Sequence, residues 1–414
     1  DIEEFITIKS KENVLNNFNI SVAITDEFMK AVKKNKEYDI INPRTRKKER
    51  KEDANRIFSL ISEIAWKTGD PGVLFIDKIN KDNPTPDLGK LESTDSCGEQ
   101  PLLPFESANL GSINLSNMVD KRKIDFNKLK NVVHKSIHFL DNVVDMCKYP
   151  NEETAEIVHA NRKIGLGVMG FANMLVKLGI PYNSGKAVKI AEKIMAFMRK
   201  ESDKASVGLA KERGVFPNWE DSIYNKKSKW FKGKHLMLRN ATRLTLAPTG
   251  SISIIAGTSF GIEPIFALSF VRILDDGSEL LDVNKNFKEI MVKKKLYRDE
   301  LMRYIAKKGS LQNIASIPKD IREIFVVSYD IEPEYHIKIQ AAFQKYVDNG
   351  ISKTVTLPKD ATVEDVKHVY MTAYELGCKG ISIYRFGSRD DQVLLLRGLK
   401  ENQLNLTNWL RRMR

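Results

Sequence analysis

Cysteine is scarce in this chain of 414 residues: Cys97, Cys147 and Cys378 are an odd number and lie far apart. That excludes a disulfide framework and a zinc knuckle, both of which need close pairs. It suits a reducing compartment, so a cytoplasmic location is expected. Histidine is sparse as well. His134 and His138 stand one helical turn apart, but no third ligand lies near them in sequence, so no metal site is expected. No apolar run approaches the roughly 20 residues of a membrane-spanning helix. The opening DIEEFITIKSKEN is charged and has no apolar signal core. It lacks an initiating Met, and the chain is expected to be cut from something longer. Internal repeats and low-complexity linkers are absent too.

What is present begins with charge. Lys and Arg exceed Asp and Glu by 13, with basic runs at Arg44–Lys51 (RTRKKERK) and Leu410–Arg414 (LRRMR). A positive field attracts polyanions, but no aromatic residues are interleaved with these runs. The reading favoured is therefore a solvated lysine-rich surface that draws small phosphorylated substrates, with neither nucleic acid nor membrane as partner. A hydrophobic fraction of 42% is enough for a substantial core.

Helical and strand patterns alternate, which predicts an α/β architecture. Asp53–Lys67 sets Ile57, Leu60, Ile61 and Ile64 on one face, with Asp53 as cap and Gly69-Asp70-Pro71 as stop. Gly72–Asp77 reads as a buried strand. The longest helix is expected over about Lys186–Arg213, with Ile190, Ile194, Phe197 and Met198 as its apolar stripe and Gly214 as its end. Further strands are expected at Arg243–Ala247, Lys353–Leu357 and Gly380–Phe386. The last two flank a helix over Ala361–Gly377, capped by Thr362, with Val363, Val366, Val369, Tyr370 and Ala373 inward. Together they make a parallel crossover. Val393–Arg414 is expected to be a final helix or a tail.

Two stretches carry chemistry. In Asp95-Ser96-Cys97-Gly98-Glu99 a cysteine stands two residues from a carboxylate on either side. An extended loop would point all three side chains into one cavity. The alternative is a surface turn holding a structural cysteine. In Leu246–Pro264 (LAPTGSISIIAGTSFGIEP) a strand ends at Pro248, and Thr249-Gly250-Ser251 offers backbone N–H groups and two hydroxyls. Such a turn holds a phosphate when a helix starts there, and otherwise is simply tight.

The string CGEQPLLPFES-x-NLGSINLS closely resembles the signature of ribonucleotide reductase large subunits, which read Asn-Pro-Cys-Gly-Glu at its head. Other segments are similar to the same family: Asn17–Val32, Thr68–Asn80, Asn83–Pro86, Asn161–Leu175, Ala341–Val355 and Gly377–Arg389. The last three are most similar to the adenosylcobalamin-dependent class. The resemblance implies a ten-stranded α/β barrel, of which residues 1–392 form most but not the early strands, with Cys97 on a finger loop inside it and 393–414 as a basic tail or helix.

It also implies ribonucleotide reduction by a thiyl radical on Cys97, with Glu99 accepting the 3′-hydroxyl proton and Asp95 binding the substrate hydroxyls. The substrate contacts carried over are Asp95, Ser96, Cys97, Gly98 and Glu99, with the phosphates on Pro248, Thr249, Gly250, Ser251 and Ile252. The partners it implies are a ribonucleoside di- or triphosphate, a thioredoxin-like reductant or an N-terminal piece, and a homodimer.

Departures from the pattern matter. Asp95-Ser96 replaces Asn-Pro, so two carboxylates share a pocket; an Asn at 95 is expected to preserve or raise turnover. Ala108 stands where the family has a reducing cysteine, and the partner of that cysteine would precede residue 1. Ala108 leaves open a paralogue that binds without turnover. Arg385 follows Tyr384 where the class with a separate radical subunit has a second tyrosine, which ranks that class lower.

Overall fold

The computed structural model describes residues 1–10, 14–15, 17–273 and 279–388. The 393–414 tail and its basic run lie outside them.

Local signals set the helices. The Ala54–Thr68 helix begins where the Asp53 carboxylate accepts the N–H groups of Asn55 and Arg56. It stops at Gly69, whose φ of 81° is open to glycine without penalty. Ile57, Ile61 and Ile64 are buried and Leu60 half-buried. Gly185–Arg213 forms the longest helix, capped by Ser184. Its buried stripe is Ala187, Ala191, Ile194, Met195 and Met198; Ile190 and Phe197 lie at its margin. Small alanines let this helix approach its neighbours closely, and so they displace the bulkier residues that periodicity favoured. Val363–Glu375 has the expected Thr362 cap, completed by Asp365 as a capping box, and buries Val366, Val369, Tyr370 and Ala373 but only partly Val363.

A four-stranded sheet and a two-stranded one are joined into a wall through isolated bridges. Ser21–Ile24 runs parallel to Gly72–Phe75, which meets Gly380–Arg385 antiparallel; that strand runs parallel to Thr354–Leu357. The predicted 72–77 strand is shorter because Ile76 already starts a helix. The 354–357 and 380–385 strands with the intervening helix are the predicted crossover. Just before Thr354, Ile351 pairs parallel with Leu246, and Leu244 pairs parallel with Leu166. Ile164–Met169 in turn runs parallel to Asn109–Asn114. The predicted 243–247 strand therefore contributes isolated bridges at Leu244 and Leu246 rather than a full ladder. Seven extended segments follow one another in this wall, and the fold is the α/β barrel type. Among the described residues no strand pairs the Ser21–Ile24 edge with the Asn109–Asn114 edge.

Two apolar cores back the wall. One gathers Ile164, Leu166 and Val168 with Phe171, Ile194, Met198 and Phe343. The other gathers Val22, Val73, Ile381 and Val355 with Ile57, Ile61, Val366 and Tyr370. At ~25 cal/mol per Å² of buried apolar surface, such clusters are the main source of stability. At Gly167 the packing is backbone on backbone, since a β-carbon there would fall 2.3 Å from the Thr245 carbonyl oxygen. The basic Arg44–Lys51 run lies on a hairpin of Glu37–Ile41 and Lys48–Asp53. There Lys48 pairs with Asp39, and Arg50 with Glu52 at 2.8 Å.

Candidate active site

Residues 95–100 join the short antiparallel strands Ser93–Thr94 and Pro101–Leu102. The segment is a closed turn, the second of the two shapes that the sequence left open, with its cysteine exposed. The Asp95 N–H donates to the Gln100 carbonyl at 3.0 Å, the Gly98 N–H to the Asp95 carbonyl at 3.2 Å, and the Gln100 N–H to Asp95 Oδ1 at 3.0 Å. Gly98 supplies the φ of 85° that closes it.

Closure parts the Cys97 side chain from the two carboxyls. Cys97 stands exposed at the tip, its Sγ 3.7 Å from Ser96 Oγ and 4.0 Å from Asn19 Nδ2. It borders a small crevice with Gly98, Ser21, Ser352, Lys353 and Ser382. Glu99 turns inward and is only 3% exposed. Its carboxyl meets that of Asp95 in a hydrogen bond, while Asp95 remains partly open to solvent.

Burial pushes the Glu99 carboxyl up to about 8, with the neighbouring Asp95 charge adding to the shift. Burial raises Asp95 as well, but N–H donors from Gln100 and Gly98 oppose it. Partial desolvation of its sulfur raises the Cys97 thiol, the Ser96 hydroxyl opposes the shift, and the charge on the Glu99 and Asp95 pair adds to it. At neutral pH it is S–H, the form from which a hydrogen atom rather than a proton is removed.

The turn is seated on the wall. Gly350 N–H donates to the Glu99 carbonyl at 2.7 Å, and Thr245 Oγ1 donates to the same oxygen at 3.1 Å. At its C-terminal side Glu106 accepts from the Leu103 N–H at 2.9 Å, from Lys163 Nζ at 2.6 Å and from Asn161 Nδ2 at 2.7 Å.

Three residues past Leu246 the chain enters the second stretch. Thr249 is left-handed, at φ 61°, and the helix Gly250–Ile255 begins after it. Thr249 Oγ1 accepts the Gly261 N–H at 2.7 Å and bonds Ser253 Oγ at 2.8 Å. Its hydroxyl therefore builds the turn instead of facing a ligand, a correction to the reading that counted two hydroxyls. Pro248, Gly250, Ser251 and Ile252 are exposed. A helix starts there, and the first N–H groups of a helix have no acceptor within it, the feature that anion sites use.

Several polar residues escaped the sequence reading. Lys353, fully buried, holds Glu263 and lies 3.1 Å from His336 Nδ1. Asp348 accepts the N–H groups of Arg243 at 2.8 Å and Leu244 at 3.1 Å, and also pairs with the Arg243 guanidinium. The 244–246 segment is thereby fixed behind the turn. Glu106, Lys163, Asp348 and Lys353 could all have been suspected, since each sits inside a familial stretch; their partners, far off in sequence, could not.

The other thiols stand elsewhere. Cys378 is buried, its thiol pushed up to about 12, and Cys147 is exposed just past the Phe126–Met146 helix. Ala108 lies half-buried just before the Asn109–Asn114 strand. His134 binds Glu201 at 3.0 Å and His138 receives Arg213 at 2.9 Å, so the pair serves two separate contacts. The Arg385 guanidinium lies 4.1 Å from the Trp66 ring centroid and donates to the Trp66 carbonyl, a packing role. Among the described residues no helix is long and apolar enough to cross a membrane.

An exposed cysteine on a closed turn, above paired carboxyls and one strand from an anion-type helix start, defines an α/β-barrel domain built around a thiol. The chain belongs to the ribonucleotide reductase family: the model of the ribonucleotide reductase barrel domain matches residues 1–384. It is 50% identical to a vitamin B12-dependent ribonucleoside-diphosphate reductase of Thermoplasma acidophilum, over 95% of this chain and 50% of that protein. A protein of the same description from Mycobacterium tuberculosis is 43% identical over 95% of this chain and 56% of its own length. The chain thus spans about half the length of the curated relatives it matches. Among solved structures, the alpha subunit of the class Id ribonucleotide reductase of Actinobacillus ureae superposes with a TM-score of 0.75 at 23% identity. That match covers 94% of this chain and 69% of that one, a likeness of fold.

Proposed function

We propose that this chain is the catalytic barrel of a ribonucleoside-diphosphate reductase that works through a thiyl radical on Cys97. One observation carries the reading: a neutral, accessible thiol stands on the turn that also holds Asp95 and Glu99. A sulfur radical at Cys97 removes a hydrogen atom from the ribose, and the carboxyl pair beneath manages the hydroxyl proton. Pro248, Thr249, Gly250, Ser251 and Ile252 receive the phosphates, with backbone N–H groups from the residues after Pro248 as donors. The walls keep water from the carbon radical. The names of the relatives point to a diphosphate substrate and to adenosylcobalamin.

That cofactor carries its cobalt in its own ring, so the chain must offer open access to sulfur rather than a cluster of ligands. Cys97 is exposed beside Gly98, with Ser21, Ser352 and Ser382 around it, which fits. When bound, adenosylcobalamin supplies the one-electron oxidising equivalent that turns the thiol into a thiyl radical. With Ala108 in the chain, the reducing thiols are proposed to come from an external thioredoxin-like dithiol or an accompanying N-terminal piece.

The test is to incubate the chain with adenosylcobalamin, dithiothreitol and ribonucleoside diphosphates, with and without the N-terminal part of a relative. Deoxynucleotide formation that Cys97→Ser abolishes supports the reading. No deoxynucleotide in either mixture would leave the chain a binding paralogue.

A further inference from the structure

We propose that Asp95, not Glu99, is the ionised carboxylate of this turn and takes the proton from the substrate hydroxyl, while Glu99 keeps the proton that the two share. This deepens the reductase reading and rests on it for the identity of the hydroxyl.

The geometry begins with the hydrogen bond between the two carboxyl groups. Two carboxyls this close cannot both be charged, so one proton stays with the pair at neutral pH. Which group holds it depends on the surroundings. Asp95 Oδ1 accepts the Gln100 N–H at 3.0 Å, a bond that favours the anion. Glu99 has only its own N–H as such a donor, against three backbone N–H groups on Asp95; it is 3% exposed, and its Oε2 is buried without a hydrogen-bond partner among the described residues. A buried anion with an unpartnered oxygen is costly, whereas a buried acid that donates to Asp95 is not.

The neighbours do not reverse this. Thr245 and Gly350 present neutral groups to the turn. The one cation lining the Cys97 crevice, Lys353, is engaged by Glu263 and His336. Cys97 is itself a thiol. Access points the same way, because Asp95 is partly exposed and Glu99 is not.

In the proton step the substrate O–H breaks and an Asp95 O–H forms. The negative charge moves from Asp95 to the substrate oxygen, and Glu99 keeps its proton throughout. Asp95 therefore takes the part that the family resemblance gives to Glu99, and an Asn at 95, expected from the sequence to preserve or raise turnover, is expected here to lower it.

Infrared spectra of the protein between pH 5 and pH 9 test the proton placement directly. A protonated-carboxyl C=O band is expected to persist at pH 7 and to vanish in Glu99→Gln. In Asp95→Asn, which removes the neighbouring charge, the band should disappear at lower pH. Absence of the band at pH 7, or its survival in Glu99→Gln, would overturn the assignment. Turnover supplies a second readout, since the amide that Glu99→Gln introduces still donates to Asp95. Loss within about tenfold is expected for that variant, against a further drop of about a hundredfold in the double variant with Asp95→Asn, the lower range for a lost acid–base group. Equal turnover in Glu99→Gln and the double variant would return the role to Glu99. If the band behaves as expected but no variant makes deoxynucleotide, the reductase reading fails while the shared proton stands.

Discussion

Gly350 donates its N–H to the Glu99 carbonyl at 2.7 Å, and a β-carbon on Gly350 would sit 2.8 Å from the Gly98 carbonyl oxygen. The two segments touch backbone to backbone, and neither carbonyl can retreat without opening the turn. Gly350→Ala should therefore lift the Cys97 turn off its support. We expect a loss of about 1–3 kcal/mol, the usual cost of overpacking, read as a lower urea midpoint. Cys97 should also become more accessible to thiol reagents. An unchanged midpoint together with unchanged labelling would show that the turn is not seated there.

The Glu106–Lys163 pair anchors the other side of the turn, with side chains 0% and 1% exposed. Removing one partner of a buried pair strands the other charge and costs roughly 3–5 kcal/mol. Lys163→Met should lower the unfolding free energy by that order. Adding Glu106→Gln should recover part of it, because no charge is then left behind. A Lys163→Met protein as stable as the parent in denaturant titration would contradict this.

Thiol labelling followed by mass spectrometry gives the pH dependence. The Cys97 thiol is raised by partial desolvation and by the charge on the carboxyl pair, so at pH 8 less of it is thiolate than in the unfolded chain. Iodoacetamide should modify it more slowly in the native protein at pH 8, and the gap should close as pH rises through the folded value. The double variant Asp95→Asn with Glu99→Gln removes the carboxylate charge that disfavours the thiolate, so it should speed labelling at pH 8. Cys378, buried with its thiol near 12, should resist labelling until the protein unfolds. Faster native than unfolded labelling of Cys97 would reverse the sign.

The helices were readable because their determinants are local. Asp53 and Thr362 cap N–H groups two or three residues on, and Gly69 ends its helix within the same window. The 354–385 crossover was legible for the same reason. The Cys97 turn was legible in identity but not in shape. Its closure depends on a positive φ at Gly98 and on cross-turn bonds that alternation cannot reveal. Its support was hidden altogether: Thr245, which holds the Glu99 carbonyl, lies 146 positions away, and Lys353 finds Glu263 across 90. The 244–246 segment was legible as extended from its own pattern, but its partners Leu166 and Ile351, which bond it through isolated bridges, lie far off in sequence.

That segment has a consequence for length. Thr245 holds the Cys97 turn and Thr249 opens the helix start, four residues or ~13 Å further along an extended chain. Leu246 is bonded on one edge to Gly350 and Ser352, and Thr245 on the other to Leu166. A slip by one residue would throw its side chains to the opposite face. The stretch between the two threonines is thus a gauge of fixed span, and a ligand that reaches both ends is measured against it.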